Sequence, residues 1–122
     1  MRILIVDDSV YSIGLISLVV KKMGHQVVGE AKNGKEAIKL IKEQKPDIIT
    51  LDNILHDMKG LEVLAGAGPN FDSSKVIVIS GTTQADTLNN YKNLGVTEFL
   101  KKPFELHELE ALINKASDSV YA

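Results

Sequence analysis

Acids, a hydroxyl and a lysine stand at the ends of apolar runs in this chain, and together they could handle phosphate. Ile3-Leu4-Ile5-Val6 runs into Asp7-Asp8, and Asp47-Ile48-Ile49-Thr50-Leu51 into Asp52. Val76-Ile77-Val78-Ile79 ends in Ser80, and Thr97-Glu98-Phe99-Leu100-Lys101 is followed by Lys102-Pro103. Three carboxylates sharing one pocket repel, and at least one pKa must rise unless something compensates. A hard divalent cation with oxygen ligands does this, and one or two carboxylates plus a substrate phosphate is a usual Mg2+ arrangement. Lysine adds a mobile positive point charge, and a serine hydroxyl can donate to a phosphoryl oxygen. A carboxylate nucleophile gives an acyl phosphate. Phosphoryl transfer needs mainly positioning and charge stabilisation, which is what such a set supplies.

The elements that must position these groups alternate strand and helix. Each run above reads as a strand, the first being continuous enough for burial on both faces and that ending in Ser80 the clearest. Gln26–Ala31 adds the second strand. Ser9 can cap a first helix, with Leu15, Ile16, Val19 and Met23 as its core stripe and Gly24 as its end. Asn33-Gly34 marks a turn before a helix carrying Ala37, Ile38, Leu40 and Ile41, which stops before Pro46. Gly60 opens a short third helix that Gly66, Gly68 and Pro69 terminate. Thr83 can cap a fourth, with Leu88, Tyr91 and Leu94 inward, and the fifth carries Leu106, Leu109, Leu112 and Ile113. Five strand–helix units in 122 residues leave about 24 residues each, a compact βα repeat that folds as an open, doubly wound parallel sheet. In such sheets sites form at the carboxyl ends of the strands, where the polar residues stand.

Composition narrows the function. At 122 residues the expectation is one domain, with only Ser117–Ala122 left after the last helix and no output domain. The formal net charge of -2 gives no nucleic-acid footprint. The absence of cysteine removes disulfides, thiolate catalysis and Cys-based zinc sites. No apolar run is long enough to span a bilayer, so the expected setting is cytoplasmic.

The joint pattern Asp7-Asp8, Asp52, Ser80, Lys102-Pro103-Phe104 resembles the receiver domain of bacterial response regulators, the CheY-like branch of the flavodoxin-like fold. Ala31–Ala37 resembles the family's second-strand-to-second-helix segment, so the likeness covers nearly the whole chain. It implies a five-stranded sheet in the order 2-1-3-4-5 with five helices. It implies Mg2+ at Asp8, Asp52 and the Ile54 carbonyl, with Asp7 acting largely through water. Asp52 would be the phosphoacceptor, Lys102 the phosphoryl contact, Ser80 the switch hydroxyl and Phe99 the switch aromatic, with a cis peptide before Pro103. The implied donor is a histidine kinase or phosphotransfer domain. The implied readout is phosphorylation-dependent binding of a downstream protein, first a flagellar switch, second a further relay partner, with a phosphatase assisting reversal. A monomer is expected before phosphorylation, with no nucleic-acid or membrane partner.

The chain departs from that pattern in places. His56 stands where the family usually has proline and Lys59 where it has Asp or Asn, which implies a more mobile loop after Asp52. Ile54 and Thr82 occupy the two variable positions that flank the phosphoryl site. Ile54 offers an attacking water no hydrogen bond, which implies slow loss of phosphate. Phe99, lacking a tyrosine hydroxyl, can be buried without a polar partner, which favours its inward rotamer. On the first helix Val10, Ile13 and Leu18, with Gly14 and Ser17, form an expected docking face for the donor's histidine-bearing helices. Rival classes fit less well. A haloacid-dehalogenase-like phosphatase needs an acid two residues after its nucleophile, where Ile54 stands. A flavodoxin-like phosphate loop would not begin Asp7-Asp8. A protein-interaction module with a dead site would have no use for a complete set of polar strand ends.

Overall fold

The computed structural model describes residues 1–68, 72, 75–82 and 84–121, so the capping role expected of Thr83 and the helix-ending role of Pro69 lie outside the described residues. The chain alternates β1 (Arg2–Val6), α1 (Val10–Lys22), β2 (Gln26–Ala31), α2 (Gly34–Gln44), β3 (Ile48–Asp52), α3 (Gly60–Ala67), β4 (Val76–Ser80), α4 (Ala85–Asn93), β5 (Glu98–Lys101) and α5 (Leu106–Tyr121). All five strands are parallel, in the order β2-β1-β3-β4-β5. The sheet is therefore the one expected, with β3 and β5 each beginning one residue later.

Register sets the site. Val6 lies opposite Leu51, so the next residues of β1 and β3, Asp7 and Asp52, emerge together at one edge. Asp52 pairs with Ile79 and Ser80 with Lys101, which brings the ends of β4 and β5 to the same edge. Lys102 N–H donates to the Ser80 carbonyl at 2.8 Å, and the Lys102–Pro103 peptide is cis, as the resemblance implied.

Because side chains alternate along a strand, each parallel strand feeds two cores. One lies under α1 and α5 and is built from Ile3, Ile5, Ile48, Ile77 and Ile79 against Ile16, Leu109 and Ile113. The other lies under α2, α3 and α4 and is built from Leu4, Val6, Ile49, Leu51 and Val78 against Ile41, Val63 and Tyr91.

Local chemistry explains the helix starts. Ser9 Oγ accepts from Ser12 N–H at 3.3 Å and caps α1 as expected. Asn33, read as a turn residue, is the N-cap of α2 and accepts from Glu36 N–H at 2.8 Å.

Several helix faces differ from expectation. Ile13, assigned to a docking face, is buried at 4% exposure, and Ser17 is buried with it, whereas Leu15, assigned to the core, is exposed. Apolar residues on every side of α1 leave its phase open from sequence. The exposed apolar side chains of this helix are Val10, Tyr11, Leu15 and Leu18. Leu94 and Leu106 are also exposed rather than inward, while Val96 after α4 is buried. Residues from Ser117 to Tyr121 continue α5, since no glycine or proline follows Ala116 to stop it. Among the described residues no helix is long and apolar enough to cross a membrane.

Candidate phosphoryl site

Asp7 is held on both sides. It is 1% exposed. One carboxylate oxygen accepts from Ser9 N–H at 2.9 Å, and the other from Lys102 Nζ at 2.8 Å. The N–H of the α1 cap residue and the lysine after β5 therefore both hold the last side chain of the first apolar run. Asp8, more open, faces His56 Nε2 at 3.6 Å across the mouth of the site. Asp52 completes the group, its carboxylate 3.5 Å from Lys102 Nζ.

Asp7, Asp8 and Asp52 each offer a carboxylate oxygen, and these oxygens all lie within 4.8 Å of one another. At that separation two like charges repel by roughly 3 kcal/mol at an effective dielectric of about 20. Asp52 registers the strain: its pKa is raised from 3.8 to about 6. Burial is the main cause, Lys102 opposes it, and the charges on Asp7 and Asp8 add to it. Lys102 is pulled two ways. Burial alone would lower its pKa, but the hydrogen bond to Asp7 and the negative charges of Asp52 and Asp7 raise it, so it stays an ammonium. Three carboxylates less one ammonium leave two negative charges. That residue of charge, on oxygen donors, fits a hard divalent cation.

Other expected site residues are near without joining the acids. Ser80 is buried and its Oγ accepts from Thr82 N–H at 3.1 Å, which leaves its O–H free to donate. Ile54 forms an isolated bridge with Lys59 and turns its side chain outward. Phe99 packs inward against the core, edge-on to Tyr91 with ring centroids 6.3 Å apart. Together with Val78, Ser80, Thr82 and Leu88 it lines a cavity of about 150 Å³ between β4, β5 and α4.

The loop after Asp52 is restrained despite lacking proline. Leu55 N–H donates to Met58 O and Gly60 N–H to Asn53 O. Asp57 reaches across to the start of α2, accepting from Gly34 N–H at 2.7 Å and Lys35 N–H at 3.0 Å, which holds its carboxyl below the ordinary range. Met58 lies so close over Gly34 that a Cβ there would come within 2.2 Å of it.

Sequence reasoning missed three residues beside the site. The spacing gives Asp57 and Asn53 no role and Tyr91 only an inward apolar one. Asn53, directly after Asp52, accepts a hydrogen bond from the buried Tyr91 hydroxyl at 2.6 Å. The available signal was a tyrosine, rather than an aliphatic residue, at an inward helix position: its hydroxyl must find a partner.

Comparison with known proteins agrees with this geometry. Residues 3–114 match the response regulator receiver domain. A chemotaxis protein CheY from Listeria monocytogenes is 38% identical over 117 residues, covering 96% of this chain and 98% of its own. Sporulation initiation phosphotransferase F of Bacillus subtilis is 30% identical, covering 93% and 91%. Among solved structures, a CheX–CheY complex from Borrelia burgdorferi with BeF3 and Mg2+ superposes with a TM-score of 0.83 at 27% identity, covering 100% of this chain and 90% of that one. On the length of that match and the fold beneath it, this chain belongs to the response regulator receiver domain family, with a CheY-like fold.

Proposed function

We propose that this receiver accepts a phosphoryl group on Asp52 from a phosphohistidine donor and signals by binding another protein in its phosphorylated state. The observation that carries the reading is the acid group with its lysine: Asp7, Asp8 and Asp52 within 4.8 Å, and Lys102 contacting two of them. An Asp52 carboxylate oxygen attacks phosphorus, the phosphorus–nitrogen bond to the donor imidazole breaks, and its electron pair returns to the ring. Lys102, an ammonium between Asp7 and Asp52, is placed to meet charge on the incoming group. Asp7, its two oxygens already engaged, serves to hold Lys102 and acts on a metal through water. Asp8, Asp52 and the Ile54 carbonyl are the proposed direct holders of Mg2+, which when bound supplies compensation for the acids and for the phosphoryl oxygens.

Ser80 and Phe99 are the proposed switch pair. Ser80 Oγ accepts from Thr82 N–H, which leaves its O–H to donate to a phosphoryl oxygen, and Phe99 lines the cavity beside it. The donor is a histidine kinase or phosphotransfer domain, and the docking surface proposed on α1 is Val10, Tyr11, Leu15 and Leu18 in place of buried Ile13. Chemotaxis-type output is favoured by the CheY relatives, and a relay role by likeness to the sporulation phosphotransferase. The CheX–CheY complex supports a phosphatase partner. The proposed setting is the cytoplasm.

The test is incubation with a small-molecule phosphoryl donor and Mg2+, read by intact mass. The parent chain gains one phosphoryl group, and Asp52→Asn gains none. Labelling of the variant at the parent's rate would move the acceptor elsewhere.

A further inference from the structure

Tyr91 is among the largest side chains with no exposed surface, and packing alone does not account for its hydroxyl. That hydroxyl donates to Asn53 Oδ1 at 2.6 Å inside the protein. Asn53 is 5% exposed and is the residue after Asp52. The same hydroxyl lies over Gly60, where an added Cβ would sit 2.4 Å from it and 2.8 Å from the Asp52 carbonyl oxygen. Gly60 N–H donates back to the Asn53 carbonyl at 2.7 Å. On its other side, the Tyr91 ring stands edge-on to Phe99, the planes inclined at 70°. One side chain of α4 thus touches both ends of the β3–α3 loop and an aromatic ring of β5.

A buried phenol is tolerated only with a partner, and an aliphatic side chain would fill this space without that requirement. The partner here is the side chain whose backbone continues Asp52. Burial, and then the Asp52 charge, push the Tyr91 pKa well above the ordinary phenol range, so the group remains a donor. Displacing a reacting group by about 1 Å is enough to cost a large part of its rate. We propose that Tyr91 is a positioning residue: through Asn53 it fixes the backbone that presents Asp52, and through its helix it carries the state of that site to α4. This rests on the reading of Asp52 as phosphoacceptor.

The test uses Tyr91→Phe, which keeps the ring, together with Asn53→Leu and the double variant. Each is first checked for a cooperative melt. In folded protein at saturating Mg2+ and donor, Tyr91→Phe lowers the labelling rate by about threefold to tenfold. The double variant loses no more than the worse single variant, because the two groups act as one unit. Amide NMR adds a readout that mere packing would not move: the shifts of α4 on adding beryllofluoride are at least halved in Tyr91→Phe. Labelling and α4 shifts equal to the parent's would overturn the proposal. If neither single variant folds, the parent decides: the Asn53 side-chain amide signal moves with beryllofluoride, and a static signal overturns the link. If the parent itself takes no phosphoryl group, the acceptor reading falls separately. Mg2+-induced α4 shifts then decide the link: a loss in Tyr91→Phe sustains it, and an unchanged response overturns it.

Discussion

The two faces of the sheet are built from different material. Under α1 and α5, the buried members are isoleucine, valine and leucine with one alanine, and Met1, Met23 and Phe104 pack against them without a buried hydroxyl tied to the site. Under α2, α3 and α4, the core includes Tyr91, with Phe99 and Met58 packed against it, and it reaches the Asp52 loop through Asn53. Even the buried hydroxyls differ. Thr50 shares the strand face of Ile48, and its Oγ1 has no partner among the described residues, whereas that of Tyr91 is tied to the site. A core without directional bonds holds its shape by packing alone. A face with directional bonds transmits small rotations. If Tyr91 links the Asp52 loop to α4 as proposed, the α1/α5 side is scaffold and the α2/α3/α4 side responds, and mutations on each face should separate stability from chemistry.

The largest effect belongs to the scaffold. Ile113→Ala removes a fully buried side chain from the α5 core. It should cost about 2–5 kcal/mol by denaturant unfolding, while the labelling rate of the folded fraction stays at the parent value. A slowed rate would break the division between faces. Next is Gly60→Ala on the responsive face. Its new Cβ meets the Tyr91 hydroxyl and the Asp52 carbonyl, one of them backbone that cannot swing aside. The expected cost is roughly 1–3 kcal/mol, and here labelling should slow as well. Destabilisation without slowing would mean that the Tyr91 contact is packing only.

How legible was this in the sequence? The strand ends were, because five apolar runs each stop at a polar residue or its neighbour, and parallel βα winding has few ways to arrange them. Asp7, Asp8, Asp52 and Lys102 met as expected. Helix phase was less legible. On α1, Val10, Ile13, Leu15, Ile16, Leu18 and Val19 surround the axis, so Ile13 and Leu15 exchanged roles. The Tyr91–Asn53 bond joins residues far apart in the chain, and nothing local to either names the other. The Asp57 clasp on α2 was hidden for the same reason.

A smaller effect follows from the charge of the site, on neither face. Asp52 has a folded-state pKa near 6 against an ordinary value of 3.8, because ionising it beside Asp7 and Asp8 in a partly buried place is unfavourable. A raised acid pKa means a destabilisation that is absent below about pH 4 and complete above about pH 6. Without metal, Asp52→Asn should therefore melt a few degrees higher than the parent at pH 7.5. The gap should shrink as the pH falls through 6 and toward 4, and saturating Mg2+ should narrow it at pH 7.5. Melting curves across that range decide the matter. A gap that widens on acidification would show that Lys102 outweighs burial and the two acids.

The smallest effect concerns Ile54, which belongs to neither core and is 65% exposed. Since it buries little, Ile54→Asn should leave stability within the range of ordinary surface changes, about 0.5 kcal/mol. Its proposed consequence is kinetic. Loss of phosphate from Asp52 needs a water held in line with the bond to be broken, and isoleucine gives that water nothing to hold on to. An asparagine amide does, and orienting the water should speed decay by about threefold to tenfold. Following the phosphorylated mass after removal of the donor measures this directly, in parent and variant. A parent that decays as fast as Ile54→Asn would show that the attacking water is positioned by something else, and one residue to test next is His56, which faces Asp8 at 3.6 Å.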